Sequence, residues 1–305
     1  MRFLIFILSF LFTFQISAQD TLMPIIFLDD ILISEENNGF TVEDFVGYVK
    51  KDTTFYMGFK HLRYYSHQFN SELNIFNKKG ETIGTLIKKG THFSDKKKAW
   101  IVNDTIIDSG KIFKRNGKYR YYTPEAFDEV FFPKDTIAVS LQISDDKNKD
   151  DSQNMRDAKT VGFSLGTDGV EQNKGGVKKK LAIFDIEMQQ YYNYTISDTI
   201  YNGRDCYSFT VKVKETLLDK EKEGALIRKI VSYFDKENFN VIYREYKFIY
   251  SNWFLDLDMD IFVHMDYVRN KHIPTYIHYK GYWDVIFFKP ERAEFKLKNT
   301  NYLVD

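Results

Sequence analysis

The sequence predicts an α+β fold that is mainly β: a large, curved antiparallel sheet, half-barrel-like, with a few short amphipathic helices packed on it. Alternating apolar and polar residues fill most of the chain from Leu226 onward, and this period of two is typical of strands with one buried face. Short polar connections between the runs favour an antiparallel meander over crossover helices. Asn116-Gly117 and Asn202-Gly203 predict tight hairpins, since type I′ turns need positive φ at both central residues.

The first eighteen residues predict a signal peptide. Met1-Arg2 gives a positive start, residues 3–16 form a mostly apolar run, and Ser17-Ala18 supplies small residues for cleavage. The run is shorter than the ~20 apolar residues of a membrane-spanning helix, although an uncleaved anchor is the alternative. We therefore expect an exported protein that is periplasmic, associated with the outer membrane or extracellular.

Three short amphipathic helices are predicted next. Thr41 is the expected N-cap of the first, Asp52 or Thr53 of the second and Thr123 of the third. Pro124 suits the first turn of the third helix, and Pro133 stops it. The apolar residues at helical spacing are Val42, Phe45, Val46 and Val49, then Phe55, Phe59 and Leu62, then Phe127, Val130 and Phe131.

Strands are predicted over 69–77, 82–93, 111–113, 119–122, 194–201, 207–214, 226–234, 241–250, 255–267, 275–285 and 293–297. The alternation is clearest over 255–267, where Leu257, Met259 and Ile261 share one face while Asp256 and Asp258 share the other. We expect one buried face and one solvated face for this strand.

The charged segment 145–180, rich in glycine toward its end, predicts a flexible connection. It separates a helix-plus-strand half, residues 19–144, from an antiparallel β half, residues 181–305, and the two halves form either one continuous domain or two. The 43 basic and 43 acidic residues cancel, which argues against nucleic acid as a partner. Cys206 is the only cysteine, so no intramolecular disulfide exists, and its strand-like context favours a buried structural thiol.

Gly162-Phe163-Ser164-Leu165-Gly166 matches the pattern of a hydrolase nucleophile elbow. The residues before it are polar and those after it are not helical, whereas the elbow needs a buried strand and a helix. We therefore interpret the segment as a glycine-rich loop and expect Ser164 not to be a nucleophile.

Metal ligation is also not favoured. Asp256, Asp258 and Asp260 lie on a predicted strand, where alternate residues sit ~6.5–7 Å apart and cannot converge on one calcium ion. His61 with His67, and His272 with His278, lack the spacing of the usual zinc motifs. No catalytic, cofactor-binding or metal-binding residue is assigned, and no cofactor is expected.

Aromatic residues occur in doublets at Tyr64-Tyr65, Tyr121-Tyr122, Phe131-Phe132, Tyr191-Tyr192 and Phe287-Phe288. On a strand, a doublet places one ring on each face. The doublets therefore predict a sheet with aromatic rings on both faces, of which one packs the helices and the other lines an apolar groove. The alternative is that the rings fill the core and cover the surface.

Several stretches carry a resemblance to known proteins: residues 52–56, 59–63, 116–123, 131–133, 183–185, 233–235, 274–277, 280–284 and 289–291. Together they resemble a family of exported proteins, of unassigned function, in Gram-negative bacteria. At the level of architecture, a sheet lidded by helices is similar to the lipoprotein-carrier (LolA/LolB-like) half-barrels. The resemblance implies the fold and brings no site residues, because fold does not imply function.

These observations favour an exported, non-enzymatic envelope protein that acts as a binding or carrier-like module with an apolar groove. Its candidate partners are an apolar ligand, a lipid or an envelope protein. A structural or interaction scaffold of the envelope is the alternative. An outer-membrane β-barrel and a serine hydrolase are less favoured, since charges lie on both faces of several predicted strands and the elbow lacks its context.

Overall fold

A computed structural model of the chain describes residues 42–141, 183–217, 224–251, 255–285 and 289–304. The expected signal peptide, most of the expected connection at 145–180, and Gly162–Gly166 lie outside the described residues. The helices are α1 (Val42–Lys51), α2 (Thr54–Tyr64), α3 (Tyr122–Phe131) and α4 (Ile186–Gln189). The strands are β1 (Ser66–Phe76), β2 (Thr82–Ser94), β3 (Lys98–Gly110), β4 (Ile137–Ala138), β5 (Tyr192–Tyr201), β6 (Arg204–Val213), β7 (Ile227–Asp235), β8 (Val241–Ser251), β9 (Leu255–Val268), β10 (Lys271–Val285) and β11 (Glu291–Leu303).

All these strands belong to one antiparallel sheet with the order β4-β3-β2-β1-β11-β10-β9-β8-β7-β6-β5. The first and the last strand in the chain, β1 and β11, are neighbours in the sheet. Phe69 lies opposite Asn299, and Leu73 lies opposite Phe295. This pairing joins the strands of both halves of the chain into one sheet. The predicted fold class, mainly β with a meander and a few short helices, is confirmed.

The sheet buries one face beneath the helices. Ile261, Val263, Ile277, Phe295 and Leu297 from three neighbouring strands are each at most 2% exposed. Burying a side chain of this size contributes about 1.5–3 kcal/mol. The alternation predicted for β9 is confirmed, since its odd-numbered apolar residues from 257 to 265 are buried while the aspartates between them are not.

Helices α1 and α2 begin where their capping residues predicted. In α1, the Phe45 ring lies 5.6 Å from that of Phe209 and 5.4 Å from that of Phe234. In α2, Phe55, Gly58, Phe59 and Leu62 form the buried face. The predicted apolar faces of both helices are therefore the faces that contact the sheet.

The hairpin predicted at Asn202-Gly203 is confirmed, since both residues have positive φ, 50° and 75°, and join β5 to β6. The hairpin predicted at Asn116-Gly117 is wrong in extent: only one isolated bridge, between Phe113 and Tyr119, forms around it. The segment around Asn116-Gly117 instead connects β3 to α3. Residues 119–122 are consequently not a strand.

The third helix and one strand also differ from prediction. Helix α3 begins at Tyr122, with Tyr121 in the N-cap position, so Thr123 is within the helix and not its cap. Strand β3 was not predicted, and the structure explains why. Most of its residues are exposed on both faces, which removes the alternation by which a strand is recognised.

Cys206 is fully buried, as predicted for a structural thiol. Its Sγ lies 3.3 Å from the carbonyl oxygen of Arg204, to which it donates. Burial raises the pKa of the thiol, which disfavours the reactive thiolate. No helix in the described part of the chain has the length and hydropathy to cross a membrane.

Candidate functional site

A cavity of about 380 Å³ lies between helices α2 and α3 and the inner face of β1, β2, β3 and β11, with β4 and the residues after it along one side. Most of the residues that line it are apolar. The apolar lining residues are Phe59, Leu62, Phe69, Ile101, Val130, Phe131, Phe132, Pro133, Ile137, Ala138, Val139 and Leu297. The volume is within the range of about 300–1,000 Å³ that is typical of small-molecule sites.

Helix α3 closes the cavity because its predicted apolar face is only partly used by the sheet. Phe127 packs on Phe295 with ring centroids 4.5 Å apart. Phe131 packs on Phe295 at 5.3 Å and also lines the cavity. Both rings stay partly accessible, so the apolar face that the sequence predicted is a wall of the cavity as well as a packing surface.

A buried ion pair fastens α3 to β2. Lys88 Nζ donates to Asp128 Oδ1 at 2.6 Å, and the Tyr119 hydroxyl donates to the other carboxylate oxygen. The Lys88 ammonium also lies 5.2 Å from the centre of the Phe132 ring, over its face. Removing one member of a buried pair leaves the other charge uncompensated, so this pair fixes the position of the helix over the cavity.

Glu291, the first residue of β11, holds the N-terminal end of the same helix. Its Oε1 accepts a hydrogen bond from the Thr123 N–H at 2.7 Å. Burial raises the pKa of Glu291 to about 7, against the opposing effect of hydrogen bonds from Thr123 and Tyr122. A carboxyl group at this place satisfies an N–H that the helix itself leaves unbonded.

Two cationic side chains of α2 stand at the rim of the cavity. Arg63 is exposed and its Nη2 donates to the carbonyl oxygen of Val130 at 3.3 Å, which joins α2 to α3 across the opening. Lys60 lies with its Nζ 5.7 Å from the centre of the Tyr56 ring. The rim is therefore positively charged while the walls are apolar.

Three polar side chains lie at the floor of the cavity: His67 on β1, His92 on β2 and Asn299 on β11. They are 4%, 5% and 2% exposed, respectively. His67 is opposite His92 in the β1–β2 register, and their rings stack with centroids 4.7 Å apart. We call these three residues the polar floor.

Burial determines the protonation of both imidazoles. It lowers the pKa of His67 to about 3, with a further contribution from His92, and lowers the pKa of His92 to about 4. The nearby Tyr65 carbonyl favours protonation of His92 but does not have the geometry of a hydrogen bond to it, and burial prevails. Both rings are neutral at physiological pH.

The sequence did not point to the polar floor. His67 was considered only as a possible metal ligand, in spacing with His61. The position of His67 in the alternation of the strand could have identified it. His67 lies two residues before Phe69, and such residues share one face of a strand. His92 shares a face with Leu86 in the same way.

The other candidate metal ligands lie elsewhere. Asp256, Asp258 and Asp260 are on the outer face of β9 as predicted, and Lys247 of β8 pairs with Asp258 and, at 3.5 Å, with Asp260. His61 Nδ1 is 2.7 Å from the His272 carbonyl oxygen. Within the described residues, no group of three or more His, Cys, Asp or Glu side chains is placed to hold a metal ion.

The inference drawn from the aromatic doublets is wrong in its premise. Tyr64-Tyr65 is at the end of α2, Tyr121-Tyr122 and Phe131-Phe132 are at the two ends of α3, and Tyr191-Tyr192 is at the start of β5. Phe287-Phe288 lies outside the described residues. Aromatic rings do occupy the outer face, where Tyr201, Tyr233 and Tyr243 contact one another, but they come from single positions on three strands.

No protein-family model and no curated protein sequence matches the chain. Among solved structures, a domain assigned to outer membrane lipoprotein sorting from Vibrio parahaemolyticus is similar, with 11% identity, a TM-score of 0.28 and coverage of 81% of this chain and 90% of that one. A DUF1329 family protein from Desulfovibrio piger has 11% identity, a TM-score of 0.26 and coverage of 84% and 94%. A LolA-superfamily protein from Nitrosomonas europaea has 9% identity, a TM-score of 0.24 and coverage of 82% and 92%.

The names of the first and third of these proteins match the lipoprotein-carrier group to which the architecture predicted from the sequence is similar. At identities and TM-scores this low they say nothing about what this chain binds.

Proposed function

We propose that this chain is an exported, non-enzymatic binding protein of the Gram-negative cell envelope, which holds an apolar ligand in the cavity beneath α2 and α3. The observation that carries the proposal is the cavity itself, about 380 Å³ of space in which apolar lining residues outnumber polar ones. Protein interiors are ordinarily close-packed. A pocket of this size with apolar walls and few polar groups is the usual form of a small-molecule site.

The arrangement of charge supports the same function. Lys60 and Arg63 are at the rim, whereas Lys88 and Asp128, which hold α3 to β2, pair with each other at 2.6 Å. An apolar molecule entering between the helices therefore meets no unpaired charge from this pair. The pattern of residues 1–18 supports export, which is the setting in which an apolar compound needs a soluble binding partner.

The proposal is tested with two substitutions on one strand. Ile101 lines the cavity, whereas Ile106, also on β3, is 54% exposed and does not. Ile101→Glu places a carboxylate against the ligand, so we expect the affinity for an apolar fluorescent probe such as N-phenyl-1-naphthylamine to fall at least about tenfold. Ile106→Glu is the matched control and should leave the affinity unchanged.

Absence of probe binding by the unaltered protein, together with native mass spectra that show no co-purified lipid, would contradict the proposal. Equal effects of the two substitutions would place the binding surface elsewhere.

A further inference from the structure

The polar floor is unusual because part of its hydrogen-bonding capacity is unused by the protein. Neither ring nitrogen of His92 has a hydrogen-bond partner among the described residues, and the same holds for Oδ1 of Asn299. Both side chains line the cavity and are at least 95% buried. Buried polar groups are ordinarily paired, since burial without a partner is unfavourable.

The remaining hydrogen bonds define what the floor offers. His67 Nδ1 lies 2.9 Å from the Tyr65 carbonyl oxygen, and because a carbonyl only accepts, Nδ1 carries the proton and Nε2 keeps a lone pair. Asn299 Nδ2 donates to the Pro274 carbonyl at 3.3 Å, which leaves Oδ1 as an acceptor. Neutral His92 adds one donor and one acceptor. The floor therefore presents more acceptors than donors, all without formal charge.

The chemistry of the floor excludes charged groups and favours a hydroxyl. A carboxylate or phosphate, which can only accept, would face mainly acceptors. A cation would lose its hydration beside side chains that are at least 95% buried, and none of the residues described as lining the cavity is a carboxylate that could compensate the charge. The charge of Arg63 already disfavours protonation of His92. A hydroxyl both donates and accepts, as the floor does.

We propose that His67, His92 and Asn299 form a hydrogen-bonding subsite for an uncharged hydroxyl group on an otherwise apolar ligand, which enters the cavity with that group innermost. This inference rests on the proposed function and adds the chemical class of the ligand. The aliphatic or aromatic remainder lies against Phe69, Phe132 and Leu297 above the floor. An acidic group on the same molecule, if it has one, stays at the rim beside Lys60 and Arg63.

The test is a competition series on the full mature protein. Decan-1-ol, 1-chlorodecane and decanoate each displace N-phenyl-1-naphthylamine, and the inhibition constants are compared in the unaltered protein and in His92→Phe. Because the ratio of alcohol to chloroalkane is taken in each protein, differences in solubility cancel between them. We expect this ratio to shift by about tenfold against the alcohol in His92→Phe.

His278→Phe is the matched control, because His278 is on the outer face of the sheet and bonds to Glu294 at 2.8 Å, away from the cavity. It should leave the ratio unchanged. If His92→Phe does not fold, Asn299→Leu takes its place, and the three ligands on the unaltered protein still rank the end groups.

Three results would overturn the subsite: the same ratio in both proteins, decanoate as the strongest competitor, or an equal shift in His278→Phe. In each of them the probe still binds, so the proposed function stands. Loss of all probe binding in the unaltered protein would instead remove both proposals.

Discussion

Two regions of the sheet's inner face treat buried polar groups differently. In the packed region, the inner face of β6–β9 beneath α1 and α2, Arg244 is buried and its Nε donates to Ser232 Oγ at 2.9 Å. Its guanidinium also lies 4.2 Å from the centre of the Phe55 ring, over its face. In the cavity region, the inner face of β1, β2, β3 and β11 beneath α3, His92 and Asn299 Oδ1 have no such partners among the described residues.

The difference shows which region is built for stability and which is free to bind. In the packed region the protein supplies partners for the buried Arg244 guanidinium and fills volume with rings such as Phe209, Phe234 and Phe248, each at most 1% exposed. In the cavity region it leaves both volume and hydrogen-bonding capacity unused. Because complete packing and pairing are the ordinary condition of protein interiors, the second region is the one whose composition needs a functional explanation.

The difference in packing between the two regions is tested most directly by truncating one phenylalanine in each of them. Phe234→Ala removes a fully buried ring in the packed region, and we expect a loss of about 3–5 kcal/mol in the free energy of unfolding. Phe131→Ala enlarges an existing cavity beside a partly exposed ring, so the loss should stay below about 2 kcal/mol. Urea unfolding measures both values, and equal losses would mean that the two regions are packed alike.

A second prediction uses acid. The pKa values of His67 and His92 are lowered to about 3 and about 4 from the ordinary value of 6.5. Between these pKa values and 6.5, the unfolded chain binds protons that the folded chain does not bind. The stability contributed by the neutral rings is therefore complete above pH 6.5 and is lost as the pH falls toward 4. His92→Phe should remove about 2–3 kcal/mol of the stability lost between pH 7 and pH 4.

Urea midpoints at pH 7 and pH 4 measure this change. The control is His264→Phe, since His264 is on the outer face and only half-buried. Burial lowers the pKa of His264 as well, so we expect a smaller change in the same direction. If His92→Phe loses as much stability on acidification as the unaltered protein, then His92 is not the neutral, buried ring described above.

The contrast between the packed region and the cavity region also explains how much of the structure could be predicted from the sequence. The packed region is made of regular alternation and helical spacing, and α1, α2, the β5–β6 hairpin and the alternation of β9 were predicted from it. The cavity region departs from those patterns: β3 is exposed on both faces, α3 starts at Tyr122, before the Thr123 expected to cap it, and the inner row of β2 includes Lys88 and His92. A polar residue on a buried face interrupts the apolar alternation by which that face is recognised. Only the pairing of strands that are distant in sequence shows that such residues lie together.

The smallest expected effect concerns the N-terminal end of α3. Glu291 has a pKa of about 7 against an ordinary 4.5, because burial disfavours its carboxylate. A carboxyl group whose pKa is raised by folding holds its proton in the folded state, so stability falls as the pH rises from 4.5 to 7. Glu291→Gln cannot ionise and keeps an oxygen to accept the Thr123 N–H. Its amide NH₂, however, replaces an Oε2 that has no partner among the described residues, and this offsets part of the gain.

We therefore expect Glu291→Gln to be about 1 kcal/mol more stable than the unaltered protein at pH 8, with the advantage shrinking or reversing at pH 5. Glu294→Gln is the contrasting variant on the same strand. Burial alone would raise the pKa of Glu294, but hydrogen bonds from Lys296 and His278 lower it, so removing its charge should cost stability at pH 8. Urea unfolding at the two pH values decides the matter. A difference between Glu291→Gln and the unaltered protein that does not grow with pH would show that Glu291 is already ionised in the fold, and that α3 is held over the cavity by a charged group.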